Sequence, residues 1–195
     1  CSLRAVTQAG FSDGFEEIEV TCPVDLLRRA GATVIMASCQ SSLEVTGRSR
    51  ICIKADHLLS EVENPTEFDL LVLPGGPAVF ELRKRQEIIS LIFDFANSGR
   101  PMGAICAAPL LLMDAQLLDK KQNYTAHIST IEELPLMIKT EAVVECGQFI
   151  TSQGAGTALE FGLRLIRRLY GHGKEEEIRN SIHAPPYSTK KFYNQ

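Results

Sequence analysis

Arg100-Pro-Met-Gly-Ala-Ile-Cys-Ala-Ala-Pro-Leu-Leu-Leu-Met113 reads as a short apolar strand that turns through a cysteine directly into an apolar helix. Small residues on both sides of Cys106 (Gly103, Ala104, Ala107, Ala108) suit a tight strand-to-helix elbow, which lifts a nucleophilic side chain clear of the backbone. Pro109 falls in the first helical turn, where its missing N–H is no loss. A thiol at such a helix start faces unpaired N–H groups and the positive end of the macrodipole, so the expected shift is toward thiolate. The competing reading is a small buried hydrophobe, because free cysteine is among the most buried residue types. The elbow favours the reactive reading.

Outward from this elbow, strand and helix patterns alternate. Leu3 to Ala9 reads as a first strand, and Gly10-Phe-Ser-Asp-Gly14 as a turn with N-cap chemistry. A helix follows from Phe15 to Ala30, with Glu16, Glu17 and Glu19 near its start and Arg28 and Arg29 at its end, matching the macrodipole at both ends. Pro23 lies inside it and is expected to kink or break it. Thr33 to Ser38 is a continuous β-prone run, and Leu43–Thr46 and Arg50–Ile53 flank Gly47-Arg-Ser49 as a hairpin. Phe68 to Leu73 is another buried strand, ending at Pro74-Gly-Gly-Pro77, where glycines let backbone N–H groups approach a ligand.

A helix is expected from Arg85 to Ser98, with Ile88, Ile89, Ile92, Phe93 and Phe95/Ala96 on its apolar face. Beyond the elbow, Tyr124 to Ile128 reads as a short strand and Ser129 with Glu132 as a capping-box helix start. Ala142–Glu145 and Phe149–Ser152 form a hairpin, and Thr157 to Tyr170 an amphipathic helix stopped by Gly171. This alternation predicts an α/β fold: a mostly parallel sheet with helices on both faces and sites at the carboxyl ends of strands. Residues 1–181 are expected to form a single domain, and 182–195 a Pro-rich extension.

Composition narrows the functions. In 195 residues with a formal net charge of −4, no basic cluster points to nucleic acid or to an anionic membrane. No apolar run is long enough to span a bilayer, so the expectation is a cytoplasmic protein. Six cysteines without a C-x-x-C pair predict reduced thiols rather than zinc or a disulfide framework. Asn123-Tyr-Thr125 matches a glycosylation sequon, which has no meaning in that compartment. No metal or cofactor is expected.

Three further features fall at strand ends or helix starts. Gly75 and Gly76 form a turn that could present backbone N–H groups, and His127 sits at an expected strand end. Among Glu16, Glu17 and Glu19, spacing alone favours solvated carboxylates for all three. Cys106, the glycine pair and His127 together describe a nucleophile, an oxyanion site and a base.

Gly14-Phe-Glu-Glu-Ile-Glu19, Pro23-Val-Asp-Leu-Leu-Arg-Arg-Ala-Gly31, Leu71-Val-Leu-Pro-Gly-Gly76, Ala104-Ile-Cys-Ala-Ala-Pro109 and Thr151-Ser-Gln-Gly-Ala-Gly-Thr157 occur in this order along the chain. Together they resemble the ThiJ/PfpI family, and within it the branch of the parkinsonism-associated protein deglycase. The resemblance implies a flavodoxin-like three-layer sandwich and a homodimer. It also implies Cys106 as the reactive cysteine and Glu19 as a protonated carboxylic acid hydrogen-bonded to the thiolate. Backbone N–H groups of Gly75, Gly76 and Ala107 are then the oxyanion site, His127 an auxiliary group, and Arg48, or Arg50 in a shifted alignment, a substrate-binding residue.

The implied activity is cofactor-independent glyoxalase or deglycase chemistry on a small aldehyde, such as methylglyoxal, in stress protection. The alternative is an oxidant sensor or chaperone-like protein acting through Cys106 sulfinate. Protease-like members place a histidine directly after the nucleophile, where this chain has Ala107, and this points away from peptidase chemistry. Ala155 stands where related chains carry proline.

Overall fold

The computed structural model describes residues 4–7 (backbone only), 11–64, 67–119 and 122–185. The ends of the expected first strand, Gly10 of the following turn and residues 186–195 of the expected extension lie outside the described residues.

A seven-stranded sheet runs in the order β5-β2-β1-β6-β7-β9-β8. Its strands are β1 (Arg4–Thr7), β2 (Thr33–Ser38), β5 (His57–Leu58), β6 (Leu70–Leu73), β7 (Met102–Ile105), β8 (Val143–Cys146) and β9 (Phe149–Ser152). Every neighbouring pair is parallel except β8 with β9. A separate antiparallel hairpin, β3 (Glu44–Thr46) with β4 (Cys52–Lys54), projects from between β2 and β5, with Thr46 opposite Cys52.

The chain moves from β1 outward to β2, then restarts at β6 and moves the other way to β7. Right-handed crossovers in opposite directions place their helices on opposite faces of the sheet and open a crevice where the direction switches, between β1 and β6. On one side α1 (Glu17–Arg29) packs on α5 (Ala158–Tyr170), and α5 on α6 (His172–Ser181); elsewhere α3 (Gln86–Asn97) packs on α4 (Pro109–Asp114). The short α2 (Val79–Leu82) follows the glycine turn. Helices and a mostly parallel sheet make the flavodoxin-like sandwich. Covered from both faces, β6 and β7 are buried at every residue, which is why their sequences are unbroken apolar runs. A methyl group at Gly103 would lie 2.8 Å from the Phe161 ring, so this glycine lets α5 close onto β7.

Several expectations are corrected. Pro23 does not break α1, which runs unbroken through it. The missing N–H leaves only the Glu19 carbonyl without its helical donor, and packing against α5 holds this stretch: a Cβ at Gly162 would sit 3.4 Å from Pro23 Cα. The residue capping α1 is Glu16 rather than one in the Ser12–Gly14 turn. Asp13 instead accepts from the Thr46 N–H at 2.9 Å and ties that turn to the hairpin.

Tyr124 to Ile128 is not a strand. The Thr125 N–H goes to the Thr151 hydroxyl (2.9 Å) and the His127 N–H to the Cys106 carbonyl (2.8 Å), single anchors rather than a ladder. The capping-box helix at Ser129 is a 3-10 turn, Ile128–Thr130, capped by His127. Phe93, assigned to the apolar face of α3, is 46% exposed. The polar α6 has no apolar stripe to mark it in the sequence, because charges dock it: buried Arg179 reaches buried Glu175 at 2.8 Å and Glu160 at 3.0 Å.

Among the described residues no helix is long and apolar enough to cross a membrane.

Candidate active site

Glu19 on α1, Gly75 and Gly76 beyond β6, and Cys106 beyond β7 meet at the crevice where the sheet switches direction. Cys106 adopts φ +65°, a left-handed conformation that costs a non-glycine residue on the order of 1–3 kcal/mol. It is held there from both sides: its N–H donates to the Ser152 carbonyl (2.9 Å) and its carbonyl accepts from the His127 N–H (2.8 Å). The elbow is therefore fixed by β9 and by the His127 segment, not by its own small residues alone. Among the described cysteines none forms a disulfide, and Cys106 is half-buried.

The three carboxylates at the start of α1 have three separate jobs. Glu16 caps the helix, accepting from the Ile18 N–H at 3.4 Å. Glu17 reaches into the hairpin and accepts from the Ser49 N–H at 2.7 Å. Burial pushes the Glu17 carboxyl up, but N–H groups, including those of Ser49 and Ile51, outweigh it and hold the group below its ordinary range. Glu19, wholly buried, accepts the Gly75 N–H through Oε2 at 2.9 Å and has the Cys106 thiol as its other polar neighbour. Its Oε1 has no hydrogen-bond partner among the described residues. Buried placement thus selects Glu19, against the solvated reading that spacing alone favours.

Burial raises the Glu19 pKa from 4.5 to about 7; Glu16 adds to the rise, while the Cys106 thiol, the Gly75 N–H and Arg48 oppose it. Cys106 is pushed up to about 12, by burial first and by the Glu19 charge second, against the N–H groups of Gly76 and Ala107. The lowering expected of a thiol at a helix start is opposed here by burial and by the Glu19 charge. The reason is that α4 is a short helix with a weak dipole, while the buried neighbour is an acid. Two acids buried side by side cannot both ionise without strong repulsion, so the pair carries at most one negative charge, shared between carboxyl and sulfur. When the retained proton sits on Glu19, its charge no longer opposes thiolate, and the two N–H groups remain to stabilise sulfur.

The expected oxyanion donors are sorted in the same way. The Gly75 N–H is committed to Glu19, so the donors that act on sulfur are those of Gly76 and Ala107. Gly76 takes φ +98°, and a Cβ there would meet the Gly14 carbonyl oxygen and the Glu16 nitrogen at 2.6 Å each, so only glycine fits. Of the two hairpin arginines, Arg48 is the one whose charge lowers Glu19, and its N–H is pinned to the Phe15 carbonyl at 2.9 Å.

His127 is exposed, and its Nδ1 accepts the Ser129 N–H at 3.2 Å, which places the neutral ring's proton on Nε2. In that tautomer it donates rather than accepts on its free side. Gly154, in the last of the five quoted motifs, separates the His127 ring from Glu19: a Cβ there would lie 3.4 Å from Cδ2 and 3.8 Å from Oε1. Ser152, which pins the cysteine through its backbone, carries no side-chain signal that a sequence reading could have used.

Known proteins share this arrangement of elements. The chain is 37% identical over 165 residues to "Protein DJ-1 homolog B" of Arabidopsis thaliana, covering 84% of this chain and 37% of that protein. The chain thus spans well under half the length of that relative. "Protein/nucleic acid deglycase 2" of Escherichia coli is 31% identical over 167 residues, covering 81% of this chain and 94% of the relative. "Glutathione-independent glyoxalase DJR-1.2" of Caenorhabditis elegans is 32% identical over 166 residues, covering 84% and 87%. Among solved structures, oxidised Toxoplasma gondii DJ-1 superposes with a TM-score of 0.85 at 28% identity, covering 93% of this chain and 98% of that one. The family model described as DJ-1/PfpI matches residues 9–168, a span that holds Glu19, the glycine turn, the cysteine elbow and the Gly154 loop, and the chain belongs to the DJ-1/PfpI family.

Proposed function

We propose that the chain is a cysteine-dependent, cofactor-independent enzyme of the glyoxalase or deglycase type, acting on methylglyoxal or on its early adducts. The observation that carries this reading is the buried Glu19 carboxyl beside the Cys106 thiol, two groups placed to exchange a proton. The printed names of the E. coli and C. elegans relatives support the reaction class.

Sulfur adds to the aldehyde carbon of methylglyoxal as the thiol proton passes to Glu19, which hands it on to the aldehyde oxygen, giving the hydroxyl of a hemithioacetal and leaving Glu19 a carboxylate. Glu19 then moves the C1 proton to C2 by way of an enediol. C1 is oxidised and C2 reduced within one molecule, giving a lactoyl thioester without an external oxidant. Water hydrolyses the thioester to lactate and restores the thiol. Gly76 and Ala107 N–H groups stabilise the charge that develops, and Arg48 draws an electron-rich substrate to the crevice.

The test is lactate release from methylglyoxal. Wild-type protein is expected to form it and Cys106→Ala to fall to the uncatalysed rate; equal rates would remove the proposal.

A second reading, oxidant sensing at the same sulfur, is favoured by the protonation state of the site: a carboxyl that holds a proton can donate it to a sulfinate oxygen. Peroxide takes thiolate to sulfenate with release of water, and a second equivalent gives sulfinate. After mild peroxide, peptide mass spectrometry is expected to find Cys106 oxidised ahead of the more exposed Cys52. Oxidation that follows exposure alone would count against this role.

A further inference from the structure

Arg83 is the residue that caps the C-terminal end of α2. Its guanidinium grips Asp114 as a fork, Nε to Oδ2 and Nη2 to Oδ1, both at 2.8 Å. Its remaining nitrogen, Nη1, reaches Glu133 at 2.8 Å. The Arg83 side chain is 19% exposed, so these pairs are less screened than ordinary surface ones.

The three partners come from three segments, and each of those segments begins at a residue of the candidate site. α2 springs from the glycine turn, with the Val79 N–H bonded to the Gly76 carbonyl. α4, which ends at Asp114, springs from the cysteine elbow, with the Leu110 N–H bonded to the Ala107 carbonyl. Glu133 follows the turn capped by His127, through Thr130 N–H to His127 O and Glu133 N–H to Thr130 O. Each connection is one short, continuously hydrogen-bonded stretch. One guanidinium therefore joins the far ends of the three levers whose near ends carry the Gly76 N–H, the Cys106 sulfur with the Ala107 N–H, and the ring of His127.

We propose that Arg83 is a positioning residue that fixes the mutual placement of the glycine turn, the cysteine elbow and the His127 turn, and so sets the reactivity of Cys106. It touches no reacting atom. A purely structural account also exists, because Asp114 lies at the C-terminal end of α4, where a carboxylate opposes the macrodipole and needs a cation nearby. The two accounts separate on lysine, which supplies the charge but cannot hold two carboxylates in a planar fork. The proposal deepens the reading of Cys106 as the reactive group, and its test uses a generic electrophile so that it stands whether or not methylglyoxal is a substrate.

Second-order rates of Cys106 alkylation by iodoacetamide, read by peptide mass spectrometry across pH 5–9, are to be measured for wild type, Arg83→Met and Arg83→Lys. Thermal unfolding is followed in parallel. Both variants are expected to lose about tenfold in alkylation rate at pH 7, since the thiolate that reacts is favoured by the Gly76 and Ala107 N–H groups, which displaced levers withdraw from the sulfur. Arg83→Lys is expected to recover the melting temperature without recovering the rate. Asp114→Asn and Glu133→Gln release one lever each and give the same test should Arg83→Met not fold; Asp114→Asn is expected to reproduce the larger share of the loss. Folded variants that alkylate at the wild-type rate with an unchanged pH profile, or a lysine variant that restores rate and stability together, would overturn the proposal. Loss of alkylation in a protein that never formed lactate would leave it standing and remove only the dicarbonyl reading.

Discussion

Glu19→Gln is expected to stabilise the protein at pH 8 while removing the titration step near pH 7 from Cys106 reactivity. The sign follows from the direction of the shift. Folding raises the carboxyl from 4.5 to about 7, so the folded state binds this proton more tightly than the unfolded state. That contribution is fully present below about pH 4.5 and is lost as pH rises through about 7. Above that pH the wild-type protein keeps a charge in a site of zero exposure, at a cost on the order of 3 kcal/mol. Glutamine carries no charge and can still accept the Gly75 N–H. Urea unfolding should therefore show the variant more stable by about 2–3 kcal/mol at pH 8, with the difference closing toward pH 5. The thiol of the variant no longer faces a carboxylate charge, so its alkylation rate should follow a single thiol titration with no step near pH 7. A variant destabilised equally at both pH values would show that the buried carboxyl is not held above its ordinary range.

This trade between stability and reactivity explains why the site could be only partly read from the sequence. The elbow was legible because an apolar strand, small residues and a helix start leave Cys106 little other use, and the structure finds it in a left-handed conformation. The sheet was legible because runs such as Leu70–Leu73 are buried on both faces. Glu19 was not legible from spacing, since nothing local separates it from Glu16 and Glu17. What separates them is which way each carboxyl points across the switch point, toward the cap, the hairpin or the thiol. The coupling of thiol to carboxyl was not legible for a similar reason: a helix start is a local feature, whereas burial beside an acid arises only when α1 and the elbow meet. β5 has two residues and no periodicity, and α6 is docked by Glu175 and Arg179, so neither leaves an apolar pattern to find.

Gly75→Ala is expected to damage both the stability of the protein and the reactivity of Cys106. Gly75 is not in the left-handed region, so its backbone would accept alanine; the obstacle is what the new methyl would meet. It would stand 2.6 Å from Cys106 Cβ, 2.6 Å from Glu19 Oε2 and 2.9 Å from the Ile105 carbonyl oxygen. All three contacts are closer than atoms tolerate, and the cysteine and carbonyl are pinned by the sheet, so they cannot withdraw. Relief requires that the glycine turn move away from the elbow, which breaks the 2.9 Å bond to Glu19 and pulls the Gly76 N–H off the sulfur. A loss of about 2–4 kcal/mol in stability is expected, with about a tenfold or greater loss of Cys106 alkylation in the protein that still folds, because the thiolate loses the Gly76 donor. Gly99→Ala is the matched control: it sits at φ +71° with nothing within 4 Å of its new methyl, so it bears backbone strain without contact. That variant should lose about 1–2 kcal/mol and keep its reactivity. Should Gly75→Ala alkylate Cys106 as fast as Gly99→Ala does, the close seating of the turn against thiol and carboxyl would not be what makes this cysteine reactive.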